Sequence, residues 1–169
     1  PSQRRSFFDR VFSVVNKEYL NTLQSFFRLL KQRNASLVRI REGKAGIGEI
    51  YGWDEQIVGV ASSLLFQRGL MIEKFKESLF YIQSKYDINV DVEISYKPNI
   101  KEPLDYKQTL LTTQETDVSM GRTTRGPHRD EIDTLWRGAK IRSIGSQGEH
   151  KRSLVFLKLS EVMFIKEKT

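Results

Sequence analysis

An apolar stripe that runs at helical spacing from Trp53 to Tyr86 constrains the fold of this chain more than any other feature. A single helix over this stretch measures about 50 Å, which is long for a small domain and predicts an arm. Gly59 and Gly69 each weaken such a helix by about 1 kcal/mol relative to alanine, so a kink or a break is an alternative. The stripe consists of Trp53, Ile57, Val60, Ala61, Leu64, Met71, Ile72, Phe75, Leu79, Ile82 and Tyr86.

The remaining patterns predict an α+β fold that is mainly helical. A long-helix arm is followed by a strand and hairpin segment and then by a C-terminal helix. We divide the chain into residues 1–88, the helical arm, and residues 89–169, the strand and hairpin segment with its last helix. The predicted elements are helices over 4–15, 17–38, 106–118 and 148–168, a basic loop over 39–48, a strand over 89–96, a hairpin over 130–144, and a C-cap at Gly121.

Composition limits the classes of function. The 169 residues carry a net charge of +7, so nucleic acid is the leading class of partner. Cysteine is absent, which excludes disulfides, thiolate zinc sites and cysteine nucleophiles. No stretch approaches the roughly 18 apolar residues of a membrane span, so we expect no membrane partner and a cytoplasmic setting. The chain opens on Pro1 rather than methionine, and we expect it to be an internal fragment of a longer protein.

A serine and a glycine stand at the predicted start of the last helix, in Ser146-Gln147-Gly148-Glu149. Backbone amides at a helix N-terminus point outward, and the helix dipole adds partial positive charge, so the segment could bind phosphate. The same residues fit a capping box, in which Ser146 and Glu149 only satisfy the first amides of the helix. The residues alone favour the cap.

The segment Arg125-Gly126-Pro127-His128-Arg129-Asp130 places four charged or titratable side chains around a Gly-Pro pair. An imidazole oriented by a carboxylate could serve acid-base chemistry, which would use His128 and Asp130. In the alternative, Pro127 stiffens a turn while Arg129 and Asp130 form a structural ion pair. No nucleophile stands at a recognisable spacing, so no catalytic residue is assigned in this chain.

The glycine-rich stretch from Gly43 to Gly48 has the spacing of a phosphate-binding loop. Glu49 and Ile50 stand where such a loop requires lysine and serine or threonine, so we interpret it as a flexible turn. No apolar strand ending in Asp-Glu follows Leu154, and we therefore expect neither a complete nucleotide site nor a metal site. Arg39, Arg41 and Lys44 form a basic group near this stretch, and they are candidates for sequence-independent contacts with DNA phosphates.

Five short motifs, taken in order, resemble the RecF family of recombination-repair proteins along essentially the whole chain. That family is similar to the ABC-type ATPases of chromosome maintenance. The motifs are Arg4-Arg5-x-Phe7-Phe8-Asp9, Lys31-Gln32-Arg33-Asn34, Trp53-Asp54-x-Gln56, Gly126-Pro127-His128-Arg129-Asp130 and Gly145-Ser146-Gln147-Gly148.

The resemblance implies that residues 1–88 belong to an arm (lobe II-like) and residues 89–169 to part of an ATPase head. It maps Ser146, Gln147, Gly148 and Glu149 onto the signature motif, which acts in trans on ATP bound to the partner subunit. Glu149 stands where the family commonly has glutamine. The role of Gly126 to Asp130 stays open.

The resemblance also implies the activity of the longer protein. It binds DNA at single-strand/double-strand gaps, forms a homodimer with ATP and Mg²⁺, and promotes recombinase loading with RecO and RecR. This segment lacks the Walker A and Walker B motifs, so we expect it to hold no cofactor and to be inactive alone. The alternative is a basic helical structural or protein-interaction domain with no role in nucleotide binding.

Overall fold

The computed structural model describes residues 2–86, 91–100, 102 and 105–167, and it confirms the predicted fold class, α+β and mainly helical. The long helix is followed by a strand segment and a C-terminal helix, as predicted. The helices are α1 (Ser2–Val15), α2 (Lys17–Arg41), α3 (Tyr51–Lys85), α4 (Tyr106–Thr112), α5 (Gln114–Met120), α6 (Ile141–Ile144) and α7 (Gln147–Lys166), and the strands are β1 (Val92–Lys97), β2 (Glu131–Trp136) and β3 (Ala139–Lys140).

Helix α3 is one uninterrupted helix of 35 residues, and Gly59 and Gly69 do not break it. The predicted basic loop over 39–48 is wrong at its start, because α2 continues to Arg41. The loop begins only after that residue, and a short 3₁₀ turn over Ile47–Ile50 leads directly into α3. Two of the three candidate DNA-contact residues, Arg39 and Arg41, therefore lie on a helix.

The three strands form an antiparallel sheet in the order β1-β2-β3. In its register Val92 pairs with Trp136 and Lys97 with Glu131. The predicted strand over 89–96 is observed from Val92, while residues 89 and 90 lie outside the described residues. The predicted return strand to Ile144 is wrong beyond Lys140, because residues 141–144 form the helical turn α6. Their apolar residues stand three apart, which is helical rather than strand spacing.

The predicted helix over 106–118 is divided in two at Thr113. The second part, α5, ends at Gly121, which takes the left-handed conformation of a C-cap with φ 61°, as predicted. A Cβ at this position would lie 2.7 Å from an Nη atom of Arg41 and 3.3 Å from a methyl group of Val38, so a side chain here would require both to shift. Gly121 therefore ends the helix and lets α2 approach it closely.

The chain divides into two compact units, and neither is continuous in sequence. The first contains Pro1–Lys17, Arg68–Lys97 and Glu131–Thr169, and the second contains Glu18–Gln67 and Pro98–Asp130. Helix α3 contributes residues to both. The division after residue 88 that we drew from the sequence refers to the arm and head of a longer protein and falls outside the described residues, so it stays a prediction.

The first unit has an aromatic core built from α1, α3 and α7. The ring centroid of Phe75 lies 5.2 Å from that of Phe8 and 5.5 Å from that of Phe164. The ring centroids of Phe12 and Phe164 are 5.9 Å apart. Rings at these separations add to the stability gained from burying their area. The same helices bury an ion pair between Arg68 and Asp9, 3.0 Å apart. The apolar residues of α1 and α7 thus have the spacing that this core requires.

Helix α7 leaves part of its apolar surface uncovered. Leu154, Val155 and Val162 are each more than half exposed, whereas Phe156 and Phe164 are buried. The last predicted residue of this helix, at 168, lies outside the described residues. Among the described residues, none of the helices combines the length and the apolar character that crossing a membrane requires.

Candidate functional site

The start of α7 forms the capping box that the sequence suggested. The Ser146 hydroxyl accepts a hydrogen bond of 3.3 Å from the Glu149 amide, and the Glu149 carboxylate accepts one of 2.7 Å from the Ser146 amide. The hydrogen bond from the Ser146 amide, with a smaller contribution from the Ser146 hydroxyl, holds the pKa of the Glu149 carboxyl below its usual value. The carboxylate is therefore ionised and bound to the helix start at neutral pH.

The residues mapped onto the signature motif lie together on the surface of the first unit. Ser146, Gln147 and Gly148 are exposed, and Glu149 is half-buried. The first amides of a helix have no partner within it, so this start can accept an anion such as a phosphate. The capping box already uses the Ser146 hydroxyl and amide, so such a ligand would share or replace these contacts.

The motif from Gly126 to Asp130 is a structural turn in the second unit. Gly126 has φ 137° and is followed by a 3₁₀ turn over Pro127–Arg129. Asn99 holds both ends of the motif: its side chain accepts a bond of 3.0 Å from the Gly126 amide, and its amide donates one of 2.8 Å to Asp130. Asp130 is completely buried. The turn is therefore fixed at each end by a single residue outside it.

His128 faces the interior of the same unit. Its Nε2 lies 3.0 Å from the carbonyl oxygen of Thr123, so this nitrogen carries a proton and donates. The imidazole stacks on Phe26, with centroids 6.0 Å apart and planes at 29°. Tyr106 packs beside the turn and donates to the carbonyl of Arg125, and burial raises the pKa of its hydroxyl. These contacts attach the motif to α2 and α4.

A buried arginine that sequence reasoning did not single out joins the motifs of this unit. Arg33, with no exposed area, donates to Asp54, to Asp117 at 2.7 Å and to Thr123 at 2.8 Å. Burial alone would lower the pKa of Arg33, but the hydrogen bonds and charges of the two carboxylates outweigh it and raise that pKa. Asn34 accepts hydrogen bonds of 2.8 Å from both the amide and the hydroxyl of Thr123.

Three of the five ordered motifs therefore meet in one polar network. Arg33 and Asn34 come from the second motif and Asp54 from the third, and Thr123 joins them to His128 of the fourth. A signal for Arg33 was present in the sequence. Arg33 lies three residues after Leu30 and four before Leu37, on the buried face of an amphipathic helix. A cation at such a position needs buried partners.

The three candidate DNA-contact residues differ in their surroundings. The Arg39 side chain is 59% exposed, and its Nε lies 3.5 Å from the carboxylate of Glu49. Lys44 pairs with Glu42 at 2.7 Å. Arg41 is an exposed residue whose guanidinium lies against Gly121. All three belong to the second unit, whereas Ser146 to Glu149 belong to the first. Within the described residues, no group of three or more histidines and carboxylates could hold a metal ion.

Comparisons with known proteins agree with the ordered motifs. No protein-family model matches the chain. The DNA replication and repair protein RecF of Lachnoclostridium phytofermentans is 31% identical over 170 residues, covering 100% of this chain and 47% of its own length. The protein of the same name from Acholeplasma laidlawii is 34% identical, covering 100% of this chain and 48% of its own.

The fold is also similar to a solved structure, that of the recombination mediator protein RecF-ATP in the RecFOR pathway. Its TM-score is 0.90 at 28% sequence identity, over 99% of this chain and 47% of the other. The class that the fold and the relatives define is that of DNA replication and repair proteins. Within this class the resemblance to RecF, predicted from the five motifs, is confirmed along the whole chain. The chain spans about half the length of the curated relatives it matches.

Proposed function

We propose that this chain is a segment of a RecF-like protein of DNA repair and recombination. The longer protein binds DNA at single-strand/double-strand gaps, dimerises on ATP with Mg²⁺, and promotes recombinase loading together with RecO and RecR. The observation that carries the proposal is the similarity to RecF over the full chain. The similar proteins include the solved structure of the recombination mediator protein RecF-ATP. The segment contributes the arm and the signature motif.

In this proposal Ser146 to Glu149 act in trans on the nucleotide held by the partner subunit. The geometry supports such a role, because a serine hydroxyl and the first amides of the 20-residue helix α7 lie exposed at one point. Helix starts favour phosphate through their amides and their dipole. The Ser146 side chain and amide would exchange their bonds with Glu149 for bonds to a phosphate oxygen.

Dimerisation of the longer protein tests the trans role. In Ser146→Arg the bulky cation blocks the helix start, so ATP should still bind while light scattering detects no ATP-dependent dimer. Ser143→Arg, an exposed position in α6, is the matched control and should dimerise normally. Normal dimerisation of Ser146→Arg would leave Ser146 with a capping role only.

A second candidate is a basic helical interaction domain without a nucleotide role. The complete capping box favours it, because the Ser146 hydroxyl and amide already have partners within the helix. The two candidates differ over ATP. We expect no ATP hydrolysis by the 169-residue chain under either, since it contains neither Walker motif. Hydrolysis by the purified chain would contradict both.

A further inference from the structure

A groove on the second unit, between the C-terminal half of α2 and the start of α3, has no role in the function proposed above. Its volume is about 520 Å³, in the range of small-ligand sites. We call it the α2–α3 groove. Its polar lining includes Gln32, Arg39 and Gln56, and the half-buried Trp53 lines it as well. Ala35 and Gly52 are small, and they leave the groove open beside the ring.

The helix that forms one wall of this groove is strongly basic. From Tyr19 to Arg41 the sequence of α2 contains no aspartate or glutamate. Its exposed cations include Arg28, Lys31 and Arg39, whereas the Arg33 side chain is buried with its carboxylate partners. Arg28, Gln32 and Arg39 stand at steps of four and seven residues and so share one face, which extends over about 16 Å. The face complements a polyanion.

The groove itself presents an aromatic ring beside the side-chain amides of Gln32 and Gln56. The Trp53 indole is held in place by a hydrogen bond of 3.2 Å from its Nε1 to the Ser36 hydroxyl. Gln56 donates to the carbonyl of Gly52 at 3.0 Å, and this bond does not use its side-chain oxygen. An aromatic ring beside amide groups can stack a base and bond its edge, and every base has a face that can stack.

One carboxylate, Glu49, also lines the groove. It contacts Arg39 through the arginine Nε at 3.5 Å, which is longer than a good charge-assisted hydrogen bond. The two terminal nitrogens of Arg39 are not part of this pair. A phosphate on the exposed side of Arg39 would therefore compete with a weak contact only, and the net charge of α2 still favours the phosphate.

From these observations we infer that the α2–α3 groove binds single-stranded nucleic acid, with its phosphates along Arg28 and Arg39 and one base against Trp53. This inference rests on the proposed function, which it extends by assigning the unpaired strand at a gap to a particular surface. It differs from the group Arg39, Arg41 and Lys44 because it combines phosphate contacts with a site for a base. The structure offers Gln32 and Gln56 to the edge of that base.

Fluorescence anisotropy of a labelled 12-nucleotide oligothymidine, titrated with the 169-residue chain, tests the inference. The double variant Gln32→Ala/Arg39→Ala should bind about tenfold more weakly, since losing a phosphate contact and a base contact each reduces affinity. For this variant, the slope of log affinity against log salt concentration should be smaller in magnitude by about one. Lys107→Ala removes an exposed cation of the same unit outside the groove, and it should bind like the unaltered chain.

Tryptophan emission gives a second and independent measurement. Binding of oligothymidine should quench the emission, and the quenching should be absent in Trp53→Phe, because the other tryptophan, Trp136, is buried. Equal affinity of the double variant and the Lys107→Ala control would overturn the inference, as would quenching that persists in Trp53→Phe. So would a failure of the unaltered chain to bind the oligonucleotide.

These outcomes are separate from failure of the proposed function. If the groove variants have no effect while the longer protein still binds gapped duplex DNA, only the groove assignment is wrong. If the longer protein binds neither gapped duplex nor single-stranded DNA, the proposed function fails, and the inference fails with it. A duplex of 12 base pairs serves as the competitor, and we expect it to displace the oligothymidine from the groove poorly.

Discussion

Arg33 and Asp117 form an ion pair of 2.7 Å in which neither side chain has any exposed area. Removing one partner of such a pair leaves the other charged and desolvated, which costs about 3–5 kcal/mol. We therefore expect Arg33→Met to lower the free energy of unfolding by roughly that amount, measured by urea denaturation. Lys31→Met, an exposed change two residues away on the same helix, is the control and should alter it little. A loss below about 1 kcal/mol in Arg33→Met would contradict this account.

Gly126 supports a second prediction. Its φ is 137°, and an added Cβ would lie 2.6 Å from the Tyr106 hydroxyl oxygen. We expect Gly126→Ala to destabilise the chain by at least about 2 kcal/mol, because backbone strain and overpacking add. Gly59→Ala is the matched control: the position is open and helical, so this change should stabilise by about 1 kcal/mol. Similar effects of the two changes on the urea midpoint would refute the close packing of the turn.

The response to acid gives a third prediction, which concerns Asp133. Burial raises the pKa of this carboxyl, but a hydrogen bond from Lys140 and the charges of Arg4 and other cations outweigh it, so the net pKa is lowered. Because the pKa of Asp133 is lower in the folded chain than the unfolded value near 3.8, the ionised carboxylate stabilises the fold above pH 3.8. This stabilisation is lost as the pH falls through the folded pKa.

Asp133→Asn should therefore be less stable than the unaltered chain at pH 7, and the two should converge as pH falls below 3.8. Thermal unfolding at a series of pH values measures this difference. Asp91→Asn, an exposed change outside the strands, is the control and should show a smaller difference at pH 7. A gap between Asp133→Asn and the unaltered chain that stays constant down to acid pH would argue against the interpretation.

The cap at the start of α7 gives a fourth prediction that is independent of nucleotide. Ser146→Ala removes the side-chain acceptor of the Glu149 amide and should destabilise the chain by about 1 kcal/mol, measured by thermal unfolding. Ser143→Ala, at an exposed position of α6, should have little effect. If the two variants are equally stable, the capping box contributes nothing in solution.

Local patterns predicted most elements, because helical spacing and turn residues act over a few positions. They identified α1, α3, α7 and the cap at Gly121. They failed at the ends of elements. Helix α2 continues past Val38, and the strand after Gly138 ends at Lys140 because the next residues turn into α6.

The candidate site shows the same limit. The Ser146–Glu149 capping box depends on residues three apart, and it was predictable. The network around Arg33 joins partners that are 21, 84 and 90 residues away, and no local pattern contains them. The order of the family motifs indicated which segments matter, but only the fold shows that Arg33, Asp54 and Thr123 lie together.

The discontinuous composition of the two units has a consequence for synthesis on the ribosome. All segments of the second unit precede Glu131, so they have been translated before the last segment of the first unit exists. The second unit therefore leaves the ribosome first, and its polar network can close while β2, β3 and α7 are still inside the ribosome. Until α7 emerges, Phe12 of α1 and Phe75 of α3 lack their aromatic neighbour Phe164. Nascent chains arrested at the length at which residue 130 has just left the ribosome should accordingly resist proteases in the second unit and be cleaved in the first.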